Sequence, residues 1–463
     1  MKTLKKIWAW VDDRSGFTEI FMPLIKHPVP PGSKWSYVFG SATLFCLILQ
    51  VVTGVALSLL YQPSSSAAYQ SLEFITNKAA FGNVLRGIHY FGASAMIIMV
   101  SIHMIRVYIT AAYKYPREMA WISGVILFFM TIAMGFTGQL LRWDSNGVWS
   151  SVVAAEQLGR VPFIGKWAAR LLLGGDTIGG HSLSRFYAYH VFIIPAIIFM
   201  FVGYHLMLVI RNGISEPPKA GRQVDPKTYR AWYKDLLKNK GIPFWPYAGW
   251  RDALFGAATI VTIILLAVVF GPPKLTGPPD PASIHASPSP DWYMLSIFSL
   301  FALMPPKIES YMIIIGPSLT IIILLALPFV SNKGERHAIR RPWAVFGTLC
   351  VVIFVLSLFL LGEKAPWSPR FDAKPLTAVN IHSSDTLVNR GAVIFYNKGC
   401  LYCHKVGSQG GLKGPDLSAV ALRLSPGDMT IRMVNGGVNM PAYGGIITRD
   451  QLNAILAFLK TRK

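Results

Sequence analysis

Seven stretches of this 463-residue chain are each long and apolar enough to cross a hydrocarbon core of about 30 Å, which takes about 20 residues of helix. They run over residues 37–60, 84–109, 121–141, 187–210, 253–270, 311–330 and 345–361. Lipid offers peptide groups no hydrogen-bond partners, so uninterrupted runs of this length close their bonds internally, as helices. The expected fold is all-α, a polytopic transmembrane bundle. Composition agrees: 14% of residues are charged, against about 25% in soluble proteins. The formal charge of +22 raises nucleic acid as a partner. The Lys and Arg residues cluster between apolar runs, however, and form no single basic face, which argues against that class.

The connections divide unevenly. Lys2, Lys5, Lys6, Arg14, Lys26 and Lys34 precede the first stretch. Lys114, Arg117, the basic loop 211–251, and Lys333, Arg336, Arg340 and Arg341 fall on the same side. The other side holds Lys78, five basic residues within 141–185, Lys274 and Lys307. The positive-inside rule puts the N-terminus in the cytoplasm, and seven crossings then leave everything after residue 362 outside. No short apolar stretch with a cleavage site opens the chain, so the first hydrophobic segment is expected to stay as an anchor. Residues 144–184 read as surface helices. The proline-rich connection 271–307 holds an apolar piece, 292–304, too short to span and either re-entrant or interfacial. The expected division is a four-helix domain over 1–215, a three-helix domain over 216–362, a linker over 363–384 and a small soluble domain over 385–463.

That last domain carries Cys400-Leu401-Tyr402-Cys403-His404. Two thiols at this spacing add to haem vinyl groups, and the adjacent His404 becomes an axial ligand. A zinc site would want a second ligand pair, and only His382 is at hand. Met440, before Pro441 in a Gly-rich loop, supplies a sixth ligand; the competing reading is a packing methionine. Cys46 and Cys350 lie inside apolar runs and read as packing residues.

Four histidines lie inside apolar helices: His89 and His103 in the second, His190 and His205 in the fourth. An ionisable residue in a span is costly and usually functional. Separations of 14 and 15 residues return each pair to nearly one helix face. The two helices run in the same direction, so His89 is level with His190 and His103 with His205. Two facing pairs would hold two b haems, one above the other. Gly40 and Gly54, like Gly124 and Gly138, are 14 residues apart and open space for a flat cofactor, or else serve helix packing. Arg86, Arg185 and Arg106 read as partners of haem propionates or as interfacial anchors.

The segments around His89 (Gly-Ile-His-Tyr-Phe-Gly-Ala-Ser), around Arg185 to His190 (Ser-Arg-Phe-Tyr-Ala-Tyr-His) and Pro290-Asp291-Trp292-Tyr293 resemble cytochrome b of the respiratory and photosynthetic quinol oxidoreductases. The resemblance covers roughly residues 10–362. The 15-residue spacing and the seven spans look like the plastid-type branch, with its two subunits joined. Residues 391–463 resemble a class I cytochrome c. The resemblance implies a quinol:cytochrome c reductase subunit in a bacterial cytoplasmic membrane. Quinol would bind outside near Asp291 and Tyr293, and its electrons would bifurcate. One would pass to a Rieske iron–sulfur partner, whose cluster this chain's cysteines cannot hold, and one inward along the two b haems. A quinone site on the cytoplasmic side, with Arg211 as its candidate, a cytochrome c acceptor and a homodimeric complex complete what it implies. A b-type anchor of a dehydrogenase is one alternative, and a transporter or sensor whose haems regulate rather than conduct is another. Three positions depart from the family pattern: Asp291 where Glu is usual, Arg142 where Pro is usual, and Val38 where the plastid-type protein binds an extra haem through cysteine.

Overall fold

The computed structural model describes residues 2–279, 288–365, 370, 372–381, 383–436, 440 and 442–463. Among the described residues seven helices are long and apolar enough to cross a membrane: Phe39–Ser58, Gly82–Ile109, Glu118–Leu140, Gly180–Asn212, Phe244–Phe270, Ile308–Val330 and Pro342–Lys364. Among the described residues the strands form only three two-residue pairs. Large apolar side chains such as Leu265, Val269, Phe346 and Ile353 are exposed along the fifth and seventh spans, as lipid-facing residues are. Between the third and fourth spans lie two short helices, Ser145–Gly159 and Gly165–Leu173. The apolar piece of the proline-rich connection is a helix over Trp292–Ala302, shorter than a span.

The described residues group into two compact units. In the first, the second span packs against the first and the fifth, and the third packs against the fourth. Small residues permit the approach: a Cβ on Gly87 would lie 3.0 Å from the Ala267 Cβ. A buried ion pair and its hydrogen bonds lock the loops at the end of the bundle where the first span begins. Arg336 Nη1 meets Glu216 Oε1 at 2.5 Å, and Tyr229 donates to Glu216 Oε2 at 2.6 Å. Arg117 donates to Tyr229 Oη at 2.9 Å and to the Gly213 carbonyl at 2.8 Å. One buried carboxylate thus serves one arginine directly and another through a phenol, while backbone carbonyls take the remaining donors.

In the second unit, helices Thr386–Asn397 and Arg449–Lys460 cross so closely that a Cβ on Gly391 would meet the Ala454 carbonyl. Phe395 and Phe458 pack their buried rings at that crossing, 5.6 Å apart with planes tilted by 54°. Each helix starts on a side-chain cap: Asp385 accepts from Leu387 N at 2.7 Å, and Thr448 forms a capping box with Gln451.

Candidate functional site

The four histidines of the second and fourth spans and the four glycines of the first and third meet one to one. A Cβ added at Gly54 would lie 3.3 Å from His89 Cε1, at Gly138 2.7 Å from His190 Cε1, at Gly40 3.0 Å from His103 Cε1, and at Gly124 3.5 Å from His205 Cε1. Each imidazole therefore packs its Cε1 side closely against a neighbouring backbone where no side chain stands.

Hydroxyls beside three of these glycines fix the rings. Thr53 Oγ1 lies 2.9 Å from His89 Nδ1, Ser123 Oγ 2.9 Å from His205 Nδ1 and Thr137 Oγ1 3.2 Å from His190 Nδ1. Each hydroxyl already donates its one hydrogen to a carbonyl of its own helix, those of Leu49, Ala120 and Ala133. It can then only accept, so Nδ1 carries the imidazole proton. The Met134 carbonyl, 3.0 Å from His190 Nδ1, imposes the same tautomer. Nε2 is left with a free lone pair, the form that binds a metal, and its orientation is set from behind.

His89 and His190 face each other with ring centres 6.3 Å apart and planes at 76°. Two metal–imidazole bonds of about 2 Å each, plus the distance from each nitrogen to its ring centre, account for such a gap. The fourth span reaches this arrangement through a π-turn over Tyr189–Ile193. Pro195, just beyond, has no N–H for the carbonyl four residues back, and Ile194 N–H bonds to Tyr189 instead. A π-turn holds one residue more than the α-turn it replaces. The 15 residues between His190 and His205 therefore match the 14 between His89 and His103.

The three arginines differ. Arg106 lies over the Tyr37 ring at 3.8 Å, within electrostatic reach of His103. Among the described residues its buried Nε and Nη2 have no hydrogen-bond partner. Such orphaned donors fit a carboxylate such as a haem propionate. Arg86 instead donates to Thr76 Oγ1 at 3.2 Å and the Pro273 carbonyl at 2.9 Å, and Arg185 to the Leu171 carbonyl at 3.0 Å. Arg211 is exposed at the end of the fourth span, and Val38 is buried.

Asp291 and Tyr293 sit against the far end of the third span. Tyr293 Oη donates to Asp291 Oδ2 at 3.0 Å, and the Tyr293 ring lies where a Gly135 Cβ would be, 2.6 Å from its Oη. Buried Gln139 accepts from Asp291 N at 3.3 Å and donates to the Ser289 carbonyl at 3.2 Å. Trp292 Nε1 donates to Ser94 Oγ at 3.1 Å. Burial pushes the Asp291 carboxyl above the ordinary range; the Tyr293 hydrogen bond and the Arg142 cation oppose it, and Asp144 adds to it. Arg142 itself pairs with buried Asp144 at 2.5 Å.

In the C-terminal domain His404 Nδ1 donates to the Pro415 carbonyl at 2.9 Å, which again leaves Nε2 as the lone pair. A Cβ on Gly414 would sit 2.5 Å from His404 Cε1. Cys400 and Cys403 are free thiols, and burial raises Cys400 to about 12. Met440 packs on the domain core; Asn439, Pro441 and His382 lie outside the described residues. The glycines were legible by spacing, whereas Thr53, Ser123, Thr137, Gln139 and Gly135 were not singled out. The available signal was a hydroxyl residue directly before Gly54, Gly124 and Gly138.

A helical membrane bundle that presents opposed imidazole nitrogens, joined to a CxxCH domain, defines a membrane cytochrome. The cytochrome b/b6/petB family profile matches residues 24–213, and that of cytochrome C oxidase, cbb3-type, subunit III matches residues 387–459. The chain is 38% identical over 222 residues to the menaquinol:cytochrome c reductase cytochrome b subunit of Bacillus subtilis, covering 46% of this chain and 99% of that one. It is 39% identical over 210 residues to cytochrome b6 of Heliobacterium modesticaldum, covering 45% and 99%. A solved structure, a hyperthermophilic respiratory Complex III, superimposes with a TM-score of 0.65 at 28% identity, covering 77% of this chain and 91% of that one. The chain belongs to the cytochrome b/b6 family. Membership implies haem b for the bundle, and the second profile match implies haem c for the C-terminal domain.

Proposed function

We propose that the chain is the fused cytochrome b/c subunit of a quinol:cytochrome c oxidoreductase, with a four-helix domain over 1–215, a three-helix domain over 216–362, a linker over 363–384 and a cytochrome c domain over 385–463. The observation that carries this reading is the set of four glycine-backed histidines, three with a hydroxyl at Nδ1. His89 with His190 and His103 with His205 would hold two b haems, with Arg106 on a propionate. Cys400, Cys403, His404 and Met440 would hold one c haem. When bound, these groups carry single electrons across and out of the membrane.

The chain's own residues bind and deprotonate the quinol. Asp291 takes a quinol proton, Tyr293 holds its carboxylate, and Gln139 pins the loop. The quinol's two electrons part there, one toward a Rieske iron–sulfur partner and one into the bundle. The second serves quinone reduction at the cytoplasmic end, where Arg211 is a candidate contact, and coupled proton translocation follows. The N-terminus is cytoplasmic and the cytochrome c domain lies outside, where it hands electrons to a cytochrome c acceptor. The complex is a homodimer in a bacterial cytoplasmic membrane. Purification in mild detergent with a pyridine haemochrome assay tests the reading: two extractable b haems and one covalent c haem per chain, with a copurifying iron–sulfur protein. One b haem per chain would refute the four-histidine assignment, and a missing iron–sulfur protein would favour a dehydrogenase anchor.

A further inference from the structure

Two positions depart from the family's pattern at the same place. Asp291 is one methylene shorter than the usual glutamate, and Arg142 puts a cation where proline is usual. The structure brings both to the end of the third span. The Asp291 backbone is anchored on Gln139, one turn before Arg142, and its carboxylate on Tyr293, whose ring rests on Gly135. Arg142 follows directly from that turn. Its Nη2 pairs with Asp144 at 2.5 Å and reaches the Lys274 carbonyl at 3.3 Å. Asp144 is fully buried and committed elsewhere as well: it accepts from Gly147 N at 2.9 Å and from Thr276 N at 3.1 Å. Arg142 Nε is buried and, among the described residues, has no hydrogen-bond partner. A cation is therefore fixed beside the loop with one donor uncommitted.

We propose that Arg142 is a positioning residue of the quinol site, and that its fixed charge offsets the shortened side chain by presenting Asp291 as the carboxylate that receives the quinol proton. The inference rests on the quinol-site reading given above. The step balances simply. The quinol O–H bond breaks, its proton forms an O–H bond on Asp291, and the bonding pair stays on the quinol oxygen. The quinol's other O–H proton is released with the electron that passes to the Rieske partner, the second electron enters the bundle, and neutral quinone remains. Burial works against the ionised form of Asp291, and the groups facing it decide the balance. These are Tyr293 two residues on, Arg142 and Asp144 after the third span, and Tyr90 on the second. Arg86, also on the second span, interacts with the Arg142–Asp144 pair. Arg142 favours the carboxylate and Asp144 disfavours it.

Opposite signs make the test decisive. In membranes holding the full complex, oxidation of a short-chain naphthoquinol is followed against pH, and each variant's acid limb is compared with that of the parent. Arg142→Gln removes the cation, so the limb moves up by about one pH unit. At pH values below the limb that is about a tenfold loss, and well above it the rates converge. Asp144→Asn removes the anion but keeps the helix cap, because Asn caps as well as Asp; the limb moves down. Arg142→Lys retains the charge and the parent limb. A purely structural role would lower the rate by one factor at every pH. A limb that stays fixed in both charge variants, or moves the same way in both, overturns the proposal. If Arg142→Gln does not assemble, the sign of the Asp144→Asn shift decides alone. An Asp291→Asn chain that kept the parent limb would instead remove the quinol-site reading itself.

Discussion

Alanine at the four glycines should hurt in a definite order, because the four clearances differ. At Gly138 the new Cβ would lie 2.7 Å from His190 Cε1 and 3.3 Å from both ring nitrogens. Ordinary contact begins at 3.4 Å, so the ring or the third span has to give by about 0.7 Å. The ring cannot tilt freely, since Nδ1 is held by Thr137 and by the Met134 carbonyl. Overpacking of this kind typically costs about 1–3 kcal/mol, a factor of about 5 to 150 in retention of the bound group. At Gly124 the clearance is already 3.5 Å, so alanine there fits without displacing His205. It also gains about 1 kcal/mol of helix propensity. Gly40 at 3.0 Å and Gly54 at 3.3 Å fall between. Purified complexes of the four variants would be titrated for b haem content, and the low-spin electron paramagnetic resonance signals would report the angle between ligand planes, 76° for His89 and His190. Gly138→Ala should lose or distort the haem of that pair, while Gly124→Ala keeps both. Equal loss at Gly124 and Gly138, or an unchanged spectrum at Gly138, would show that the glycines serve helix packing alone.

Asp291→Asn should lower quinol oxidation at least about tenfold with all haem spectra intact, since Asn keeps the size of Asp and an oxygen for Tyr293 but cannot take the proton, and Asp291→Glu should retain most of the rate. Because burial raises the Asp291 carboxyl, the active carboxylate is lost as pH falls through a value above the ordinary range; turnover in the parent complex should therefore decline on the acid side earlier than an exposed aspartate would allow. Thr53→Val strips His89 Nδ1 of its hydroxyl and should weaken haem retention by about 10- to 100-fold. Thr137→Val should do much less, because the Met134 carbonyl still holds His190. Replacing Met440 with Ala should leave the c haem attached on a denaturing gel while lowering its potential, as read by redox titration.

The residues of the proposed haem sites were far more legible in the sequence than those of the proposed quinol site, and the cause is geometric. The histidines and glycines proposed there repeat along helices, so a 14-residue period in the second span and in both glycine-bearing spans maps directly onto one face. The span limits followed from apolarity and shifted by a few residues at the ends, where the helices continue into polar sequence such as Gly180–Ser184. The 15-residue interval of the fourth span was read as an approximate match; the π-turn that makes it a true one follows from Pro195, a local cue that periodicity ignores. The hydroxyls before Gly54, Gly124 and Gly138 were visible as letters. Their role requires knowing which ring nitrogen faces them, and that is set by a neighbouring helix.

At the proposed quinol site the contacts join residues far apart in the chain: Gln139 to Ser289 and Asp291, Ser94 to Trp292, and Gly135 to Tyr293. No period links such pairs, so a motif can point to Asp291 and Tyr293 without revealing what holds them. The same distance in sequence hid the relation between the two departures there. Read along the chain, a shortened carboxylate and a misplaced arginine look like separate losses. Once Gln139 fastens one segment to the other, the arginine's ion pair with Asp144 becomes part of the field that decides the charge on Asp291. A substitution in either segment should therefore be read against its partner before it is counted as damage.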